Sequence, residues 1–132
     1  MKQIKIIIEK GKDHYGAYAE HVEGIYGGGD TPQEAKQSIV DAIELLKKYN
    51  KPEHIPAILK TKYKLIYKFD TESLLKYYKG IFTKAGLERI TGINQRQIQH
   101  YSSGLKKPRV AQAKKIESAL HKLGNELLAV EL

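Results

Sequence analysis

The sequence predicts an α+β fold: a small three- to four-stranded sheet with one packed helix over residues 1–69, then an all-α unit of five helices over residues 70–132. Three observations carry that expectation. Ile4, Ile6 and Ile8 alternate with Lys5 and Glu9 at period two, and Tyr63, Leu65, Tyr67 and Phe69 alternate with Lys64 and Lys68 in the same way. Between them lies one strongly capped stretch of helical period, Thr31 to Tyr49. Beyond Asp70 the period-two pattern is gone, and apolar residues recur at spacings of three and four.

The first strand is followed by Lys10-Gly11-Lys12-Asp13, good turn chemistry, so a hairpin is expected. Its second strand runs from about His14 to Val22 with Tyr15, Ala17 and Ala19 on one face, and a short third strand covers Ile25 and Tyr26. Small residues on that face call for a helix lying close against the sheet. Gly27-Gly28-Gly29 lacks the Gly-Lys-Ser/Thr of a phosphate loop and reads as a turn. In Thr31-Pro32-Gln33-Glu34 an N-cap Thr, a Pro at the first helical position and a Glu at the third form a capping box. Ala35, Ile39, Ala42, Ile43 and Leu46 give the helix its apolar face, and Asn50-Lys51-Pro52 stops it. Residues 51–61 hold two prolines and no clean period, which predicts a loop before the lysine-faced strand at 63–69. Lysines on an exposed strand commonly guard it against edge pairing.

Composition narrows the function. Hydrophobic residues make up 41% and charged residues 29% of 132, an ordinary globular balance outside the disordered classes. No run approaches the ~18 apolar residues of a membrane span, and Met1-Lys2-Gln3-Ile4-Lys5 opens no signal peptide, so a cytoplasmic protein without membrane contact is expected. The chain has no cysteine, which removes disulfides, thiolate metal sites and thiol nucleophiles together. Net charge is +8 and unevenly spread: residues 1–60 hold nine lysines and nine acids, whereas residues 83–132 hold nine lysines and arginines against four acids. A basic second half favours a polyanion as partner there.

No catalytic constellation is visible. Glu9, Asp13, Glu20, Glu23 and Asp30 fall at strand ends or in loops instead of converging as metal-dependent phosphoryl chemistry requires. His14 and His21 have no Asp, Cys or Ser at a suggestive spacing. The expectation is a non-enzyme with no metal and no cofactor.

Asp70-Thr71-Glu72-Ser73 opens a helix carrying Leu74, Leu75, Tyr78, Ile81 and Phe82, and a short amphipathic helix follows over 83–91. Gly92-Ile93-Asn94 supplies a tight turn and an N-cap for a helix from Gln95 to Ser103, stopped at Gly104. A fourth helix spans Arg109 to Lys122 with Ile116, Ala119, Leu120 and Leu123 inward, and Gly124 begins a last turn with Leu127, Leu128, Val130 and Leu132. Helix, three-residue turn, helix is the helix-turn-helix arrangement, whose second helix enters the DNA major groove. Gln95, Arg96, Gln97, Gln99 and His100 on that helix can donate to or accept from base edges, while Ile98 and Tyr101 face inward. Lys106, Lys107 and Arg109 in the loop after it, Asn94 before it, and Lys84 at the start of the preceding helix are placed to hold phosphates.

The stretch Phe82 to Leu128, reading FTKAGLERITGINQRQIQHYSSGLKKPRVAQAKKIESALHKLGNELL, resembles the helix-turn-helix domain of the Cro/C1 (XRE) phage-repressor type. That resemblance implies base reading by Gln95, Arg96, Gln97 and His100, and backbone contact by Lys84, Lys106 and Lys107. Gly86 departs from it, standing where a better helix former is usual. The segment Tyr15 to Tyr49, with Gly24, Gly29-Asp30-Thr31 and Glu34-Ala35, resembles the N-terminal domain of HicB-type antitoxins, a partial ribonuclease-H-like fold without catalytic carboxylates. Here the departure is Glu20-His21-Val22-Glu23, in place of the more usual Pro- and Asp-containing loop.

Together the two likenesses imply an antitoxin of a type II toxin-antitoxin system. Its N-terminal domain binds a HicA-type ribonuclease toxin, and its C-terminal domain represses the operon on double-stranded operator DNA. Readers of this class dimerise, so a homodimer or higher even oligomer is expected, with Leu127, Leu128, Val130 and Leu132 as candidate interface. The alternatives are a one-component regulator with a ligand-sensing N-terminal domain and a residual nuclease. Residues of the toxin interface are not legible at this level.

Overall fold

The computed structural model describes residues 1–132, as an α+β fold with a four-stranded mixed sheet and five α-helices. The chain divides into two compact units, Met1–Tyr77 and Tyr78–Leu132. No helix is long and apolar enough to cross a membrane.

In the first unit, β1 (Lys2–Lys10), β2 (Tyr15–Ala19), β3 (Tyr26–Gly29) and β4 (Tyr63–Phe69) lie in the order β3-β2-β1-β4. The β-branched Ile4, Ile6 and Ile8 are buried on one face of β1, as their period demands. The β1–β2 pair is antiparallel, with Ile6 opposite Ala19 and Ile8 opposite Ala17. Its turn closes on a 2.8 Å hydrogen bond from the Gly11 N–H to the His14 carbonyl. β4 pairs with β1 in parallel, Ile4 opposite Leu65 and Ile8 opposite Phe69. A parallel pair needs a crossover, and α1 (Pro32–Tyr49) is its helix.

α1 begins as its sequence demands. The Thr31 hydroxyl accepts from the Glu34 N–H at 3.1 Å, Pro32 fills the first turn, and the Glu34 carboxylate reaches back to the Asp30 N–H at 2.7 Å. Ala35, Ile39 and Ile43 are buried against the sheet. The Asn50 amide donates to the Leu46 carbonyl at 2.8 Å at the other end.

Four local expectations are corrected in this unit. The second strand is shorter than His14–Val22: it stops at Ala19, and the chain turns through His21 (φ 64°) and Gly24 (φ 88°). The triple glycine is no turn but most of β3, with Gly27 opposite Ala17 and Gly29 opposite Tyr15. The reason is the helix: a Cβ on Gly27 would stand 2.6 Å from Ser38 Oγ, and one on Gly29 would overlap Glu34 Cβ and lie 3.0 Å from the Ala35 nitrogen. Residues 51–61 are not simply loop. Two 3-10 turns, Pro52–His54 and Ala57–Lys60, tuck Leu59 into the core at 2% exposure. Finally α2 covers only Thr71–Tyr77, where the sequence placed a helix through Phe82. Asp70 fastens it, accepting from the Ser73 N–H with one oxygen and from the Lys10 N–H with the other, both at 3.0 Å.

The close approach of α1 to β3 sets a testable expectation. Gly29→Ala must push helix backbone off the sheet, costing about 1–3 kcal/mol of stability. Urea unfolding reads this as a lower midpoint, and a midpoint equal to that of the original chain would show that α1 can draw back freely.

The second unit holds three helices instead of the five expected for the chain beyond residue 70. They are α3 (Lys84–Thr91), α4 (Gln95–Ser103) and α5 (Val110–Leu128). Tyr78–Phe82 forms a turn in which the Ile81 and Phe82 N–H groups both donate to the Tyr78 carbonyl at 2.9 Å. α5 runs through Gly124 without a break, so the expected fourth and fifth helices are one. A lone glycine costs a helix only about 1 kcal/mol, and Leu123, Glu126, Leu127 and Leu128 around it sustain the helix. Leu87, Ile93, Ile98, Tyr101 and Ile116 are buried in this unit; Ala119, Leu120 and Leu123 are half-buried.

Candidate nucleic-acid interface

The turn between α3 and α4 is built residue by residue. Thr83 caps α3 by accepting from the Gly86 N–H at 2.9 Å. A Cβ at Gly86 would lie 3.1 Å from that hydroxyl, so the residue that weakens the helix also gives its cap room. Gly92 ends α3 in the left-handed conformation (φ 75°), which glycine adopts without a Cβ penalty. Ile93 drops into the core at 4% exposure, and the Asn94 side chain accepts from the Gln97 N–H at 2.8 Å to start α4. Thr91, buried between them, donates to the Leu87 carbonyl at 2.6 Å and accepts from the Ile93 N–H at 3.1 Å. Gly104 (φ 82°) closes α4.

This turn leaves one face of α4 in solvent. Ile98 and Tyr101 point inward, each 2% exposed. Arg96, Gln99, His100 and Ser103 recur at i, i+3, i+4 and i+7 and therefore share the opposite face. Arg96 is exposed and makes no hydrogen bond or ion pair within the chain, so its guanidinium is free to pair with something else. Gln99 is likewise exposed, whereas the His100 ring is half-buried with its Nδ1 enclosed and without a hydrogen-bond partner.

The other two residues singled out for base reading are engaged internally. Gln97 is half-buried and its amide donates to the Tyr101 hydroxyl at 2.9 Å. Gln95 is exposed, but its backbone N–H donates to the Glu88 carboxylate at 3.1 Å and its side-chain amide lies 3.5 Å from the same group. Gln99, on the Arg96 face, is the residue that family position alone passed over. Its helical spacing from Arg96 was the signal available in the sequence.

Exposed cations precede and follow α4 in the chain. Lys84 stands at the first residue of α3, and Lys106, Lys107 and Arg109 follow α4; all four are exposed, as is Asn94. The Asn94 side-chain oxygen is used in the cap, which leaves its amide nitrogen as a donor. Ten lysines and arginines face four acids in Tyr78–Leu132, so this unit carries most of the net charge.

The apolar tail is solvent-facing. Leu127, Leu128, Val130 and Leu132 are 61%, 86%, 60% and 117% exposed, so they do not close the core of this unit. The chain contains no group of three or more His, Asp or Glu side chains placed to hold a metal ion. Two side chains in the first unit have shifted pKa values: burial raises that of Tyr67, and the hydrogen bond that the Lys76 ammonium donates to the Glu72 carboxylate raises that of Lys76. Compared with models of protein families, with curated proteins and with solved structures, the chain matches none of them.

Proposed function

We propose that this protein is a HicB-like antitoxin that neutralises a HicA-type ribonuclease toxin by direct binding and represses its own operon by sequence-specific DNA binding. The second unit is the DNA reader, a helix-turn-helix with α4 as recognition helix; the first is the toxin-binding domain, a partial ribonuclease-H-like layer. The observation that carries the DNA reading is the solvent face of α4. Free Arg96 and Gln99 stand on it beside His100, between flanking cations, after a turn set by Gly92, Ile93 and Asn94. Arg suits a guanine edge and Gln an adenine edge. Toxin neutralisation needs no chemistry from this chain, since covering an RNA-binding surface suffices.

The ligand-sensing alternative is less well supported, because the grooves along α1 are open and shallow where a small molecule needs an enclosing pocket. Nuclease-treated co-purification from the native host tests the choice. A small basic protein encoded beside this gene, recovered in stoichiometric amount and toxic without this chain, is the expected outcome. Recovery of the chain alone with a bound metabolite would move the first unit to the sensor class.

Two expectations attach to the DNA reading. Lys107→Ala weakens binding to all sequences alike and lowers the slope of log K against log salt by about one, because one phosphate contact is lost. Deleting residues 127–132 removes exposed apolar surface and converts dimer to monomer at micromolar concentration, read by light scattering. A deletion variant that stays dimeric would place the interface elsewhere.

A further inference from the structure

The first unit is electrically lopsided in a way its small net charge hides. Residues 13–46 contain seven acids and one lysine, although the chain as a whole is +8. That lysine, Lys36, is turned to the other flank of α1, where it donates to the Tyr77 hydroxyl at 3.1 Å and lies 4.4 Å from the Tyr67 ring centroid. No lysine or arginine is among the side chains that line the flank of α1 beside β3. Along that flank runs an open groove of about 390 Å³ lined by Tyr26, Glu34, Gln37, Asp41, Ala42 and Leu45. Its walls are not those of a solvated helix: Tyr26 is 68% and Leu45 56% exposed, and both apolar side chains border the carboxylates. Large apolar anchors inside a charged rim are the anatomy of a protein-docking surface.

We infer that this groove docks a basic segment of the toxin protein, with Tyr26 and Leu45 as anchors and Asp41 and Glu34 as its charge partners. The inference rests on the antitoxin reading and names the part of the first unit that performs it. Charge complementarity selects the occupant. A ribonuclease must present a positive surface to hold RNA phosphates, and an acidic groove attracts that surface while repelling nucleic acid. The groove on the opposite flank, lined by Lys47, Lys48 and Tyr63, lacks this complementarity. The free edge of β3 is closed to simple strand addition at its centre, because the Gly28 N–H donates to Ser38 Oγ at 3.2 Å. Recognition must then come from the groove's side chains.

The test uses the full chain and, as probe, a catalytically disabled form of the small protein encoded by the neighbouring gene. Asp41→Lys, Tyr26→Ala and Leu45→Ala all replace exposed side chains, and melting curves and operator binding confirm that each variant is folded. Each truncation is expected to weaken toxin binding about tenfold or more, and Asp41→Lys to slow association and flatten its salt dependence. Lys47→Glu, on the other flank, is expected to leave affinity within about twofold, the ordinary behaviour of a charge outside an interface. Tight binding by the original chain with all three groove variants unchanged would overturn the groove and leave the antitoxin reading intact. No binding by the original chain would overturn both.

Discussion

Arg96→Ala is expected to lower affinity for the operator by about 5- to 150-fold, corresponding to ~1–3 kcal/mol, and to relax preference at one base position. The size follows from what the structure gives this side chain. Arg96 sits at the centre of the solvent face of α4 and has no partner within the chain, so its loss leaves folding untouched and removes only what it contacts outside. A guanidinium that reads guanine does so through two hydrogen bonds, and an alanine restores neither. Competition titrations on operator and scrambled duplexes at one salt concentration check this. Equal losses on both would reassign Arg96 to the phosphate backbone.

Ile98→Ala is expected to act in the opposite way, through the fold. Ile98 is 2% exposed and packs in a three-helix unit with few buried residues. Truncating it costs about 2–5 kcal/mol, a large part of what so small a unit holds. The second unit should therefore melt well below the first, and circular dichroism should resolve two transitions. On the proposed reading, DNA binding is then lost while toxin binding through Met1–Tyr77 survives, because the two units bury separate cores. A single transition at the original temperature would show that the cavity collapses without cost.

What could be read from the sequence is what local chemistry fixes. The alternation in β1 and β4, the Thr31 cap of α1 and the Gly92-Ile93-Asn94 turn all state their structure within a few residues. Features that depend on distant partners were hidden. Gly27-Gly28-Gly29 reads as a turn until Ser38 and Glu34 are known to lie against it, and only that contact explains a glycine strand. Leu59 looks like a loop residue because short 3-10 turns carry no period. Gly124 carries a breaker's signal at a position where continuing the helix costs little.

The candidate sites divide along the same line. Residues on the outer face of α4, Gln99 among them, follow from helical spacing, but the engagement of Gln97 with Tyr101 is a side-chain choice no periodicity records. The acidic groove was invisible for a plainer reason. Tyr26 and Asp41 are far apart in sequence, and the overall charge of +8 masks a flank of the opposite sign.

The measurement that tests the central claim most directly is a footprinting titration of the full chain on the DNA upstream of its own gene, against a scrambled duplex, at physiological salt. The account predicts a protected, two-fold-related site bound about a thousandfold or more tighter than the scrambled control, with half-sites one helical turn, roughly 34 Å, apart. Equal affinity for the two duplexes, with no protected site, would contradict it.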